Sequence, residues 1–329
     1  MTLTQTAILV KQLIAISIIA LVLGIGGFIG YKIWYANYLA SLPPIEEKPD
    51  SKFGSLPEPN FPKSTVSSSN FTYSLDTTTG GLPKVGKDPG FEKIIKVYFV
   101  TQTFAGFLSP DKSQALAQNF GIKIPPDIIS ETRYAFKEND KNLLINLDNG
   151  NFTYINEATL SAKESLDDDT KLVSGFMQTL STLGILKDDL KNGRSKIIRS
   201  NEDIAQIFLW PAQVDKKEIF TPDFNKSLIN AEVSKGAYDI NNYLSLNFTY
   251  YPIDTTTYAT YFLKTAEAAF EDLKSGKGVV VIEPNKPQVS ITSVYLGYYL
   301  SENYSPYLMP IYIFEGPNFV AYVNALSSI

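Results

Sequence analysis

The longest uncharged, apolar run of the chain lies near its N-terminus. Residues 12–31 carry no charged side chain, and apolar residues continue on the other side of Lys11. A helix of twenty residues is about 30 Å long, which is the thickness of the hydrocarbon core of a bilayer. The run therefore predicts a transmembrane helix within a first segment of residues 1–40. Its anchor residues are Leu13, Gly26, Gly30 and Trp34.

A cleaved signal peptide is the other interpretation of this run. The apolar part of a signal peptide has about 7–15 residues and ends in small residues at −3 and −1. The present run is longer, and neither Ala36 nor Ala40 has a small residue two positions before it. A retained anchor is therefore favoured, with the lipid bilayer as partner. Because Gly26 and Gly30 form a GxxxG pair, a helix-mediated homodimer stays open beside a lipid-facing helix.

Proline and serine dominate the next segment. Residues 41–69 contain six prolines and the run Ser67-Ser-Ser69. Proline at this density favours extended, polyproline-like chain and disfavours helix. The segment is predicted to be a semi-rigid stalk that holds the following domain away from the bilayer, with plain disorder as the alternative.

The rest of the chain mixes helical and strand patterns. Three segments have apolar residues at helical spacing and end at a glycine: 109–121, 170–183 and 265–276. Eight others are rich in β-branched and aromatic residues: 94–104, 143–147, 205–210, 243–251, 278–283, 289–300, 308–315 and 319–324. The last four follow through short turns, as in an antiparallel meander. The predicted class is α+β, with three short helices packed on antiparallel sheet, in an ectodomain of two parts, 70–165 and 166–329.

One tetrapeptide recurs along this ectodomain. Asn-Phe-Thr-Tyr occurs at residues 70–73, 151–154 and 247–250, and a predicted helix follows each copy. The recurrence predicts three diverged strand-then-helix units. The alternative is that this tetrapeptide is merely a favourable start of a strand.

Composition closes several routes to chemistry. The chain has no Cys and no His, which excludes a Ser-His-Asp triad, a Cys nucleophile, a Cys/His zinc site and any disulfide. The densest acidic cluster, residues 164–169, lacks the alternating ligands and the glycine of a calcium loop, so no metal and no cofactor is expected. A net charge of −5 without a basic stripe argues against nucleic acid as a partner. Carboxylates alone, or Ser with Lys, remain available for catalysis.

Tyrosines near the C-terminus form the candidate binding surface. Its members are Tyr295, Tyr298, Tyr304, Tyr307 and Tyr312. Tyrosine combines an apolar ring with a polar tip, so a row of such rings suits a peptide or a glycan. Core packing is the alternative, because half of the side chains on a strand face a core.

Three motifs near the C-terminus carry a resemblance to a known group of proteins. They are Leu273-Lys-Ser-Gly276-Lys-Gly278, Pro310-Ile-Tyr312-Ile-Phe314-Glu-Gly316 and Ala321-Tyr-Val-Asn-Ala325. With these motifs, residues 258–325 resemble the C-terminal part of membrane-anchored bacterial proteins with PepSY-like and related two-component-regulator ectodomains. The resemblance implies a single-pass, extracytoplasmic, non-catalytic protein that modulates partner proteins.

These observations predict a bacterial cell-envelope module. A long extracytoplasmic domain without Cys is atypical of secreted eukaryotic proteins, which usually carry disulfides. We expect the N-terminus inside, the C-terminal domain outside, and binding of an envelope protein, a peptide or a wall polymer without catalysis. The alternative is a carboxylate-dependent hydrolase of wall glycans.

Overall fold

The N-terminal unit of the chain is one long helix. The structure, a computed structural model, describes residues 3–41, 48–78, 80–158 and 165–327. The chain divides into two units, Met1–Lys48 and Pro49–Ile329. Helix α1 (Leu3–Ser41) contains all four predicted anchor residues. Its stretch Ile16–Tyr38 has a mean hydropathy of 2.0 and is long and apolar enough to cross a membrane, as predicted.

The second unit is built mostly from strands. The strands are β1 (Thr72–Leu75), β2 (Ile94–Val100), β3 (Asp127–Ser130), β4 (Arg133–Glu138), β5 (Lys141–Asn146), β6 (Phe152–Asn156), β7 (Ser195–Arg199), β8 (Ile204–Leu209), β9 (Ile219–Phe220), β10 (Ile229–Ser234), β11 (Tyr243–Phe248), β12 (Ile253–Phe262), β13 (Val279–Ile282), β14 (Gln288–Ile291), β15 (Ser293–Tyr299), β16 (Tyr307–Gly316) and β17 (Phe319–Asn324). The helices are α2 (Ser109–Asn119), α3 (Asp169–Thr182), α4 (Asp188–Lys191) and α5 (Ala266–Lys274).

The strands form two large sheets and one small one. The insert sheet has eight antiparallel strands in the order β3-β4-β5-β6-β11-β10-β8-β7. The base sheet has seven strands along the path β12-β2-β16-β15-β9, with β17 next to β16 and β13 next to β17. Strands β1 and β14 form a separate parallel pair. The α+β class with antiparallel sheet is therefore confirmed.

The insert sheet belongs to a segment of chain that lies between two neighbouring strands of the base sheet. β2 and β12 pair antiparallel, and Val100 at the end of β2 is the register partner of Ile253 at the start of β12. The chain between them, residues 101–252, is the insert lobe. It leaves and returns side by side, because the N–H of Thr101 donates to the carbonyl of Pro252 at 2.8 Å.

The base lobe consists of residues 49–100 and 253–327. Besides the two chain crossings, one segment of the insert lobe contacts it. Residues 211–228 form an arm that reaches from the insert lobe onto the base sheet, where β9 pairs in parallel with β15. Val214 and Ile219 of the arm pack beside Tyr298 in a buried cluster.

Each large sheet buries helices against one apolar core. α2, α3 and α4 contribute Ala117, Phe176 and Leu190 to the core of the insert lobe, and α5 contributes Phe270 and others to that of the base lobe. Asp168 caps the N-terminus of α3, because its carboxylate accepts from the N–H of Lys171 at 3.0 Å. The prediction of three packed helices is not confirmed, because the second unit has four among its described residues.

The proline-rich segment does not stand apart from the domain after residue 48. Residues 49–71, the strap, cross the base sheet in contact with several of its strands. The backbone of Asp50 donates to the hydroxyl of Thr260 at 2.8 Å, and the ring centroids of Phe61 and Tyr299 lie 5.0 Å apart. The predicted stalk of residues 41–69 therefore overlaps the folded unit, since apolar residues between the prolines pack on the sheet.

One sheet spans the predicted boundary within the ectodomain. The insert sheet takes strands from both sides of the predicted division between 70–165 and 166–329, because β6 pairs with β11. This pairing also sets two copies of Asn-Phe-Thr-Tyr side by side, with Phe152 opposite Phe248. The first copy lies in the base lobe, at β1.

Candidate functional site

The five predicted tyrosines do not form one exposed surface. Tyr298 and Tyr312 are fully buried, and the other three are half-buried in three separate clusters. The hydroxyls of Tyr298 and Tyr312 donate to the carbonyls of Lys96 and Lys264, at 2.9 and 2.6 Å. Burial raises the pKa of both phenols.

The physical reason is that both faces of the base sheet are covered. On one face, Tyr307 stacks near Phe53 of the strap, with ring centroids 5.0 Å apart. On the other, the arm covers Tyr298. Tyr295 donates to Glu315 at 2.8 Å, and Tyr304 donates to the carbonyl of Val100 at 3.0 Å. Four of the five hydroxyls are therefore engaged in hydrogen bonds within the fold, and all five rings pack in its apolar clusters.

A cleft in the insert lobe is the better candidate. It has a volume of about 620 Å³ and lies between α2, the β5–β6 turn, the loop after α3 and the end of β11. Its walls include the apolar side chains of Phe104, Leu116, Leu183, Ile185 and Phe248. Volume and lining are typical of sites that bind small ligands or peptide side chains.

Asparagine and aspartate hold the β5–β6 turn at the edge of the cleft. The N–H of Asp148 donates to the side chain of Asn146, and the N–H of Asn151 donates to that of Asn149, both at 2.9 Å. Gly150 has a φ of +71°, which glycine adopts without strain. The carboxylate of Asp148 in turn accepts from the N–H of Ala105 at 2.9 Å. The turn therefore fixes the loop that carries Phe104.

Two lysines give the cleft a cationic rim. Lys112 on α2 and Lys187 after α3 both line the cleft and are exposed. Within the described part of the chain, neither has a carboxylate at ion-pairing distance. Asp148 is the one carboxylate among the described lining residues. The arrangement suits a ligand with an apolar part and a negative group.

Behind the cleft wall, a carboxylate holds a tyrosine in place. The hydroxyl of Tyr250, which lines the cleft, lies 3.1 Å from both carboxylate oxygens of Asp189. Burial raises the pKa of Asp189 although this hydrogen bond lowers it. Burial and the neighbouring charge of Asp189 raise the pKa of Tyr250. The pair therefore orients the ring of Tyr250. Among the described residues, no group of three or more Asp or Glu side chains could hold a metal ion.

Exposed apolar side chains lie on the loop that borders one side of the cleft. Phe104, Phe107 and Leu108 are 71%, 96% and 55% exposed. Sequence reasoning missed both the cleft and these residues. The available signal was residues 101–110, ten residues without a charge that carry two phenylalanines between a strand and a helix.

The comparisons with known proteins leave the function to be argued from the site. No protein-family model matches the chain, and no curated protein matches it. A similar solved structure is that of an uncharacterized protein from Eubacterium rectale ATCC 33656. It is 10% identical, the match covers 78% of this chain and 84% of that chain, and the TM-score is 0.34. The resemblance to PepSY-like ectodomains stays a prediction.

Proposed function

We propose that the chain is a single-pass, membrane-anchored binding module of the cell envelope whose cleft holds a segment of a partner without catalysis. The observation that carries the proposal is the cleft of about 620 Å³, with its apolar wall and its two rim lysines. It belongs to a unit that follows a helix long enough to cross a bilayer. The folded unit lies outside the cytoplasm, and α1 holds it at the membrane.

Of the three predicted ligand classes, the cleft favours a peptide. Phe104, Leu183 and Phe248 offer apolar surface to an apolar side chain, which stabilises binding by about 25 cal/mol per Å² of buried area. Lys112 and Lys187 offer positive charge to a carboxylate of the same segment. An envelope protein with an extended acidic and apolar segment meets both requirements.

Site-specific photo-crosslinking tests the cleft. A photo-reactive amino acid replaces Lys187, which lines the cleft, or Lys191, an exposed lysine four residues further on that does not line it. In native membranes we expect a crosslinked peptide from position 187 but not from position 191. The variant Ala115→Trp, which fills the cleft, should abolish that product. A product that appears equally at both positions, or that survives the filled cleft, contradicts the proposal.

Cysteine labelling tests the orientation. Because the chain has no Cys, a single introduced thiol reports its own side of the membrane. On intact cells, a membrane-impermeant maleimide should label Asn303→Cys, which is exposed on the folded unit. It should label Thr4→Cys only after the membrane is opened. The reverse pattern would place the folded unit inside the cell.

A further inference from the structure

The large exposed apolar side chains of the folded unit are concentrated in one short stretch of sequence. Among the described residues of this unit, five large apolar side chains are more than half exposed, and all lie between residues 104 and 129. They are Phe104, Phe107, Leu108, Ile128 and Ile129. Scattered apolar residues are normal on a protein surface, whereas a cluster of this kind marks an interaction site.

Two hydrogen bonds bring these residues to one end of the insert lobe. The N–H of Ala105 donates to Asp148, and the N–H of Leu147 donates to the carbonyl of Thr132 at 2.8 Å. The loop of residues 104–108 and the β3–β4 hairpin therefore flank the same β5–β6 turn. We call the five exposed side chains at this place the apolar end.

The loop is held in shape and carries no charge. The N–H of Gly106 donates to the hydroxyl of Ser109, and the N–H of Ser109 donates back to the carbonyl of Gly106, both at 2.9 Å. Phe107 stands at the tip with 96% of its surface exposed. Because residues 101–110 are uncharged, moving the tip at Phe107 into an apolar medium takes no charged side chain of the loop with it. The carboxylate of Asp148 contacts the loop at Ala105, two residues before the tip.

The bilayer is within reach of this loop. Eight residue steps separate Ser41, the end of α1, from Pro49, so the folded unit starts at most about 28 Å from the helix end. The strap is fastened at Thr260, whose register partner is Lys96. Phe104 follows Lys96 by eight residues, so the two lie at most about 28 Å apart. Chain length therefore permits the loop to reach the membrane that holds α1.

We infer that the apolar end inserts into the bilayer interface, with Phe107 as the deepest residue. A phenyl ring exposed on all sides at the tip of a convex loop fits the boundary between headgroups and acyl chains, whereas a protein partner needs a matching concave surface. Since Phe104 lines the cleft, insertion brings the cleft to the membrane, and its ligand is then a segment that lies at the membrane surface. The inference rests on the proposed anchor.

Depth-dependent fluorescence quenching tests the insertion in the full chain. The protein is reconstituted into vesicles of phosphatidylcholine and phosphatidylglycerol, with an environment-sensitive dye on Phe107→Cys or, as the control, on Tyr238→Cys. Tyr238 is 49% exposed and lies in the β10–β11 connection, at the end of the insert sheet opposite the β5–β6 turn. At position 107 we expect a blue-shifted emission that lipids with a nitroxide high on the acyl chain quench severalfold. At position 238 we expect emission typical of water and little quenching.

A second pair of samples keeps the native ring in place. The dye on Leu108→Cys should be quenched by the same lipids, and adding Phe107→Ser should remove most of that quenching. If the dyes at 107 and 108 stay in water while the protein floats with the vesicles, the insertion is overturned and the anchor stands. If the protein does not float, the anchor itself fails. Shielding in native membranes but not in pure lipid would mean that a protein covers the loop, which also overturns the inference.

Discussion

The strap contributes to the stability of the folded unit, and one substitution tests this sharply. Phe61 lies among the prolines that predict a stalk, yet its ring packs at 5.0 Å from that of Tyr299, edge to face, and at 6.3 Å from that of Tyr322. In a stalk, Phe61→Ala would change nothing. In this structure it removes a half-buried ring and two aromatic contacts.

The size of the effect follows from the burial. Replacing a fully buried phenylalanine by alanine costs about 3–5 kcal/mol. Phe61 is half-buried, so we expect the free energy of unfolding to fall by about 2 kcal/mol, which includes the aromatic contacts. In a unit of this size, a loss of about 2 kcal/mol lowers Tm by roughly 4 °C.

Thermal denaturation of the full chain in lipid nanodiscs measures this shift. The control is Glu202→Ala, at an exposed position of the insert lobe away from the strap, and we expect it to change stability by less than about 0.5 kcal/mol. Equal Tm values for the two variants, or a larger fall for Glu202→Ala, would refute the packing of the strap.

Three further predictions address the arm, the insert lobe and the strap. Gly297→Ala should lower the free energy of unfolding by about 1–3 kcal/mol, because its new methyl group would lie 2.5 Å from the buried ring of Phe220. Adding Phe220→Leu should recover part of that loss in thermal denaturation. No recovery would mean that the clash lies elsewhere. Tyr243→Phe should lower stability to urea by about 1 kcal/mol, because the hydroxyl donates to the carbonyl of Ala237 at 2.7 Å, and an unchanged midpoint would contradict this bond. The carboxylate of Asp50 accepts hydrogen bonds from the side chain of Lys52 and from the N–H of Thr260, and these lower its pKa to about 2. Its contribution to the stability of the folded unit is therefore present above about pH 4 and is lost as the pH falls toward 2. Asp50→Asn should therefore flatten the pH dependence of stability over that range, and an unchanged slope would exclude this contribution.

Local features of the fold could be predicted because local sequence determines them. The spacing of apolar residues predicts a helix over 170–183, and α3 covers Asp169–Thr182 with Asp168 as its cap. The uncharged run near the N-terminus predicts a spanning helix in the same way. Of the four strands expected to follow one another near the C-terminus, the last three do so as β15, β16 and β17, whereas β13 pairs with β17 instead of with its neighbour in sequence.

Long-range pairing could not be predicted from these patterns. β14 pairs in parallel with β1, more than two hundred residues away, rather than with the next strand along the chain. The tyrosines lie on or next to predicted strands, but the sequence does not reveal that the arm and the strap cover the faces of the sheet that carries them. Likewise, two phenylalanines among six prolines, Phe53 and Phe61, are too few to predict that residues 49–71 pack on the sheet.

The insertion of one lobe into another explains where the cleft lies and why no motif marks it. Thr103 and Phe104 come from the chain that leaves the base lobe, and Tyr250 and Pro252 come from the chain that returns, yet all four line the same cleft. The side-by-side crossing brings together residues nearly 150 positions apart. A site made in this way depends on the strand pairing at the crossing and on the turn that holds the exposed loop. The site therefore forms only once the two ends of the insert lobe lie side by side, and no short stretch of sequence contains it.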